Sequence, residues 1–129
     1  MSMKKIFTAT DAEKLIGKSV TVPHGYTSIG KSAFNYSDIT SVALPDSITC
    51  IGESAFFTCL ELMDVSIPNS VTVIGDCAFM FCEKLASITI PDSITSIGHD
   101  ALKNLTVRCS QNSYAYKYCQ KNDIRVEVI

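Results

Sequence analysis

The chain has 129 residues, of which 47% are hydrophobic and 19% charged, with no tryptophan. One compact unit fits that length, a second full domain does not, and disordered, collagen-like and coiled-coil chains are excluded. The formal net charge of -2, from 11 Lys+Arg against 13 Asp+Glu, lacks the basic excess that phosphate neutralisation needs, so nucleic-acid binding is excluded too.

From the N-terminus, Lys4 and Lys5 are followed by Thr8, Thr10, Asp11 and Glu13. A secretory leader would place roughly 7–15 apolar residues there, so no signal peptide is read. Every apolar run is far shorter than the roughly 20 residues a membrane span requires. As written, the chain is expected to be soluble, which favours the cytoplasm. Residues 10–17 read as a short amphipathic helix. Thr10 and Glu13 form the capping box, Ala12, Leu15 and Ile16 the apolar face, and Gly17 the stop. Residues 1–17 are therefore expected to form an N-terminal cap.

The segment from 18 to 107 is governed by a repeat. Ile29-Gly30, Ile51-Gly52, Ile74-Gly75 and Ile97-Gly98 are separated by 22, 23 and 23 residues, and the prolines at 23, 45, 68 and 91 keep the same spacings. Before each proline, as in Val65 and Ile67 or Ile88 and Ile90, apolar residues alternate at period 2, which predicts a short strand with one buried face. Proline ends that strand, because it cannot donate to a ladder. Thr27, Thr49, Thr72 and Thr95 lead into a second extended segment at Ile-Gly, whose glycine suits a corner with unusual dihedrals. Ala33-Phe34, Ala55-Phe56, Ala78-Phe79 and Ala101-Leu102 then send a small and a large residue inward from a short helical or 3₁₀ turn. Ser37, Cys59 and Cys82 stack three positions beyond Phe34, Phe56 and Phe79. No unit can bury its apolar face alone, so the units must stack.

Residues 108–129 are expected to close the stack as a C-terminal cap. A helix is predicted from about Asn112 to Lys121, with Ala115 and Cys119 on one face and Tyr114 and Tyr118 beside them. Ile124, Val126 and Val128 alternate with Arg125 and Glu127 in a final half-buried strand.

The pattern I-P-x-S-[VI]-T-x-I-G-x-x-A-F-x-x-C at this period resembles the BspA-like class of leucine-rich repeats, over about residues 18 to 107. The resemblance implies an α/β, β-dominated fold: a right-handed solenoid of parallel strands with four repeats, the last shortened, short helical turns, and helical caps at both ends. It also implies surface-associated adhesion or protein binding. Members are usually longer and exported, so the missing leader is a departure from the family.

The six cysteines (Cys50, Cys59, Cys77, Cys82, Cys109 and Cys119) are too sparse for a disulfide scaffold. Cys59 and Cys82 read as small buried residues in one repeat slot. Cys119 is expected to pack against the last coil, and Cys109, beside Arg108, to be partly exposed. No set of cysteines and histidines has zinc spacing, and His24 and His99 fall at different phases. There is no G-x-S-x-G and no phosphate loop. The turns account for Asp46, Asn69 and Asp92. No catalytic residue, metal or cofactor is therefore assigned.

A partner must be met on the surface. The strands before each proline expose the ladder Thr21, Ala43, Ser66, Thr89 and Thr106, small side chains without the Trp, Tyr or Arg of hot spots. Met63 and Asp64 beside that ladder are its more distinctive members. The richer surface follows Ala-Phe, where Tyr36, Phe57, Met80 and Phe81 form an apolar row, with Tyr114, Tyr116 and Tyr118 as candidate neighbours. The expected function is a non-enzymatic protein-interaction or adhesion module. Its partner is a protein, whether of a host or a cell surface, or a second copy of the chain. The alternative is a structural, self-associating unit with no specific small ligand.

Overall fold

The computed structural model describes residues 4–129. Its strands run parallel in every ladder. The strands and helices in chain order are β1 (Ile6–Phe7), α1 (Ala9–Glu13), β2 (Ser19–Thr21), β3 (Ser28–Ile29), β4 (Ser41–Ala43), β5 (Cys50–Ile51) and β6 (Asp64–Ser66). They continue with β7 (Val73–Ile74), β8 (Ser87–Thr89), β9 (Ser96–Ile97), β10 (Thr106–Cys109), α2 (Tyr114–Lys121) and β11 (Val126–Val128). Both strands expected in each unit are present. The four Ile-Gly segments and β1 form one five-stranded sheet in the order β1-β3-β5-β7-β9. The pre-proline strands β2, β4 and β6 form one ladder and β8 forms a second with β10 and β11, in the order β8-β10-β11, with no pairing between β6 and β8. At that open step lies a cleft of about 670 Å³ whose lining includes Asp64, Ser66, Asn69, Thr89, Asp92 and Ser93.

The core is a set of columns along the stack. Val20, Val42 and Val65 occupy one register position, as do Ile88, Val107 and Val126. Ile29, Ile51, Ile74 and Ile97 form another, all buried. Phe7, Phe34, Phe56 and Phe79 stack face to face at centroid separations of 5.4, 5.2 and 5.1 Å and interplanar angles of 20°, 6° and 5°. The repeated threonines form a fourth column. Each hydroxyl donates to a carbonyl of the preceding coil, Thr49 to Thr27, Thr72 to Thr49 and Thr95 to Thr72, at 3.2–3.3 Å.

The Ile-Gly glycines have a different purpose from the one expected. Gly30, Gly52, Gly75 and Gly98 do not adopt positive φ. A Cβ on Gly52 would lie 2.7 Å from the Ile29 carbonyl oxygen, and one on Gly75 would lie 2.6 Å from the Glu53 nitrogen. Glycine is needed because successive backbones touch at this corner. The left-handed conformations fall two and six positions later, at Ser32 and Tyr36, Ser54 and Thr58, Cys77 and Phe81, Asp100 and Asn104, with φ between 55° and 67°.

Those residues replace the expected helical turns with runs of overlapping turns. In the first coil Ala33, Asn35 and Ser37 N–H close local turns onto Gly30, Ser32 and Phe34 carbonyls. Ser32, Phe34 and Tyr36 N–H instead donate to Glu53, Ala55 and Phe57 carbonyls of the next coil at 2.9, 2.7 and 2.9 Å. A helix would turn every N–H onto its own chain. The alternation lets half of them tie one coil to the next, which offsets the strain of left-handed residues that carry side chains.

The ends differ from expectation in detail. Helix α1 begins two residues early: Thr8 is the N-cap, its hydroxyl accepts from Asp11 N–H, and the Asp11 carboxylate accepts from Thr8 N–H. That acceptor role holds the Asp11 carboxyl below its usual range. The strand β1 was not anticipated. It adds Phe7 to the phenylalanine column, with Tyr26 edge-on at 5.0 Å. Helix α2 is capped by Ser113 and buries Ala115 and Cys119 as expected. Cys109 is fully buried, not partly exposed, because its side chain points inward from β10 beneath α2.

Candidate interaction surface

The row after Ala-Phe is an outward zigzag of rings. Tyr36 and Phe81 occupy the left-handed position of their turns. Phe57 comes one position earlier in its own turn. The diagonal offset brings Tyr36 and Phe57 to 5.7 Å at 77°, and Phe57 and Phe81 to 5.6 Å at 70°. These are edge-to-face contacts, the geometry aromatic quadrupoles favour. Tyr36 is 69% exposed and Phe81 49%, with Phe57 and Met80 half-buried. Three coils thus present a continuous aromatic edge to solvent.

Met63 and Asp64 lie elsewhere. Met63 is 59% exposed just before β6, and Asp64 belongs to the strand face, where it lines the cleft between β6 and β8. The cap tyrosines are not joined to the row either. The Tyr118 hydroxyl donates to the Gly98 carbonyl at 2.7 Å, Tyr116 packs against the core, and Tyr114 is 42% exposed. Burial pushes the Tyr118 phenol up.

Leu60, 44% exposed, was missed. It comes with the one-residue lengthening from Ser37-Asp38-Ile39 to Cys59-Leu60-Glu61-Leu62, the step from a 22- to a 23-residue period. The neighbouring charges neutralise one another, Lys84 with Glu61 and Lys18 with Asp38.

The pre-proline face also needs one correction. Thr106 pairs with Ser87, and the residue opposite Thr89 is Arg108, because the shortened last coil shifts the register by two. That face does carry an arginine, held 3.3 Å from Glu127. The other members of the central ladder, Thr21, Ala43, Ser66 and Thr89, are small and uncharged.

The Cys59 and Cys82 thiols donate to the Phe34 and Phe56 carbonyls at 2.9 and 3.1 Å. Burial pushes them up to about 12 and about 11, so they stay protonated at neutral pH. Burial likewise raises Cys119 to about 11. All six cysteines are free. Among the described residues no group of three or more His, Cys, Asp or Glu is placed to hold a metal ion, and no helix is long and apolar enough to cross a membrane.

Three solved structures share this architecture. A leucine-rich repeat protein from Bacteroides capillosus is 35% identical, with a TM-score of 0.59 and 74% of each chain covered. A leucine-rich cell surface protein from Faecalibacterium prausnitzii is 26% identical, with a TM-score of 0.72 over 87% of this chain. The leucine-rich repeat protein of T. pallidum is 25% identical, with a TM-score of 0.59 over 71% of this chain. The chain spans 58% of the T. pallidum protein and 32% of the Faecalibacterium protein. No curated protein sequence matches it. The sequence model of the BspA type Leucine rich repeat region matches in six copies across residues 12–122, and the chain belongs to that family.

Proposed function

We propose that this chain is a non-enzymatic protein-interaction or adhesion module and that the Tyr36–Phe57–Phe81 edge is its contact surface. In this reading residues 1–17 and 108–129 serve as caps around the coils of 18–107. The observation that carries the proposal is three interlocked rings with two of them largely open to water. Aromatic anchors supply most of the energy in protein interfaces, whereas small residues such as those of the pre-proline face supply little. The self-neutralised charges around the row favour a partner recognised by apolar fit more than by charge. A partner on a cell or host surface agrees with the cell-surface description of the Faecalibacterium protein.

The test is affinity capture from surface extracts, with the retained protein identified, purified and titrated against the chain and its Tyr36→Ser/Phe81→Ser variant. Loss of two anchors is expected to weaken binding more than about tenfold. Unchanged affinity in a folded variant would remove the row from the interface.

A further inference from the structure

We propose that copies of this chain join head to tail through the two open edges of the pre-proline face, β11 of one copy pairing in parallel with β2 of the next. In β2 the Lys18 carbonyl accepts from Thr40 and Ser41, and the Val22 N–H donates to Ala43. Main-chain direction alternates along a strand, so residues 18, 20 and 22 face β4, and the peptide groups of Ser19 and Thr21 face away from the stack. At the other end the Arg125 carbonyl accepts from Val107, and the Ile129 N–H donates to Cys109. The peptide groups of Val126 and Val128 therefore face away. Among the described residues nothing pairs with either set.

The two edges match in direction and register. Val20 and Val126 hold the same inward-facing place in their ladders. Setting Val126 beside Val20 of the next copy lets Ser19 N–H donate to the Ile124 carbonyl and Val128 N–H donate to the Thr21 carbonyl. This repeats the bonds from Ser41 to Lys18 and from Val22 to Ala43 within one chain. Arg125 then lies over Ser19 and Glu127 over Thr21, with no like charges opposed. Half-buried Val126 gains a paired neighbour on its second side, as Val42 and Val107 have within one chain. Val128 and Ile129 are 51% and 58% exposed at one end, and Ile6 and Ile16 are 56% and 93% exposed at the other. The Val-Glu-Val edge carries no proline or lysine to block pairing. The Ile-Gly sheet offers no such continuation, because α2 packs beside β9 and Tyr118 takes the Gly98 carbonyl. A head-to-tail contact does not close on itself, so it builds short linear chains, not a fixed dimer. The strands are short, so the association is weak.

Sedimentation velocity on the 129-residue chain from micromolar to millimolar concentration tests this. The mean mass is expected to rise past that of a dimer. Thr21→Pro and Val128→Pro each remove an outward N–H and leave the inward ladder intact, so each alone is expected to stay monomeric. An equimolar mixture is expected to stop at a one-to-one dimer, since each variant keeps the edge the other lacks. Should a proline lower the melting temperature, Val128→Lys blocks the same edge from a half-exposed position. A wild type that is monomeric throughout overturns the proposal, as does association that survives the edge variants. Association abolished by Tyr36→Ser/Phe81→Ser also overturns it, because the row is not part of this junction. The edge variants leave the aromatic row untouched, so failure here leaves the partner reading standing.

Discussion

Two aromatic columns run along this molecule, a few residues apart in each of the first three turns, and they have opposite geometries. Phe7, Phe34, Phe56 and Phe79 lie buried and nearly parallel, while Tyr36, Phe57 and Phe81 are edge-to-face, with Tyr36 and Phe81 exposed and Phe57 half-buried between them. Phe34, Phe56 and Phe79 occupy one repeat position, so translation from coil to coil stacks them like copies of one another, and Phe7 of β1 extends the column. The outer rings alternate between two positions, and the offset turns each ring's edge onto its neighbour's face. A repeated position serves packing, whereas a broken repetition leaves ring surface for something else. The contrast predicts that stability follows the inner column and recognition the outer one.

The strongest way to test that division is Phe56→Ala. Phe56 is fully buried between two stacked rings, and its loss is expected to cost about 3–5 kcal/mol in urea unfolding. A cost under about 1 kcal/mol would show that the column is not the spine of the stack. Next comes Gly75→Ala, which forces a methyl group against the Glu53 backbone and is expected to cost about 1–3 kcal/mol. An unchanged melting temperature would mean that the coils can separate at this corner.

A smaller effect comes from the two stacked thiols beneath the rings. Burial raises Cys59 and Cys82 from 9.0 to about 12 and about 11. The unfolded chain therefore releases these protons first as pH rises, and the stability they give is complete below pH 9 and is lost between there and about 11 to 12. By pH 10 each thiol is expected to have cost about 1 kcal/mol. Cys59→Ser should flatten that decline, and an identical pH profile for the variant would rule the thiols out. The smallest change is expected at the outer column, where Tyr36→Ser/Phe81→Ser should alter unfolding free energy by less than about 0.5 kcal/mol for each site. A larger loss would mean that the exposed rings stabilise the stack, and would weaken the case for them as a binding edge.

Much of this was legible in the residues. The paired spacing of proline and Ile-Gly marks every coil, and the period-2 pattern before each proline marks the strands, because a stack of identical coils repeats its needs in the sequence. The outer row was legible too, since apolar rings stand where a turn would ordinarily be polar. Other features were not. Thr8-x-x-Asp11 and Thr10-x-x-Glu13 both satisfy a capping pattern, and only the chain path through β1 selects the first. Arg108 reached the strand face because the last coil is short, and no local pattern reports a register shift of two. The left-handed turn residues include Cys77, Tyr36 and Phe81, types that carry no local preference for that conformation.

The sequence by itself therefore determined the period, the strands, the buried columns and the family, because these depend on residue type repeated at fixed intervals. Tertiary structure decided which N–H groups bind across coils, why the glycines must be glycines, and which rings meet. Those depend on the close approach of one coil to the next, a distance set by the stack as a whole and written in no single unit.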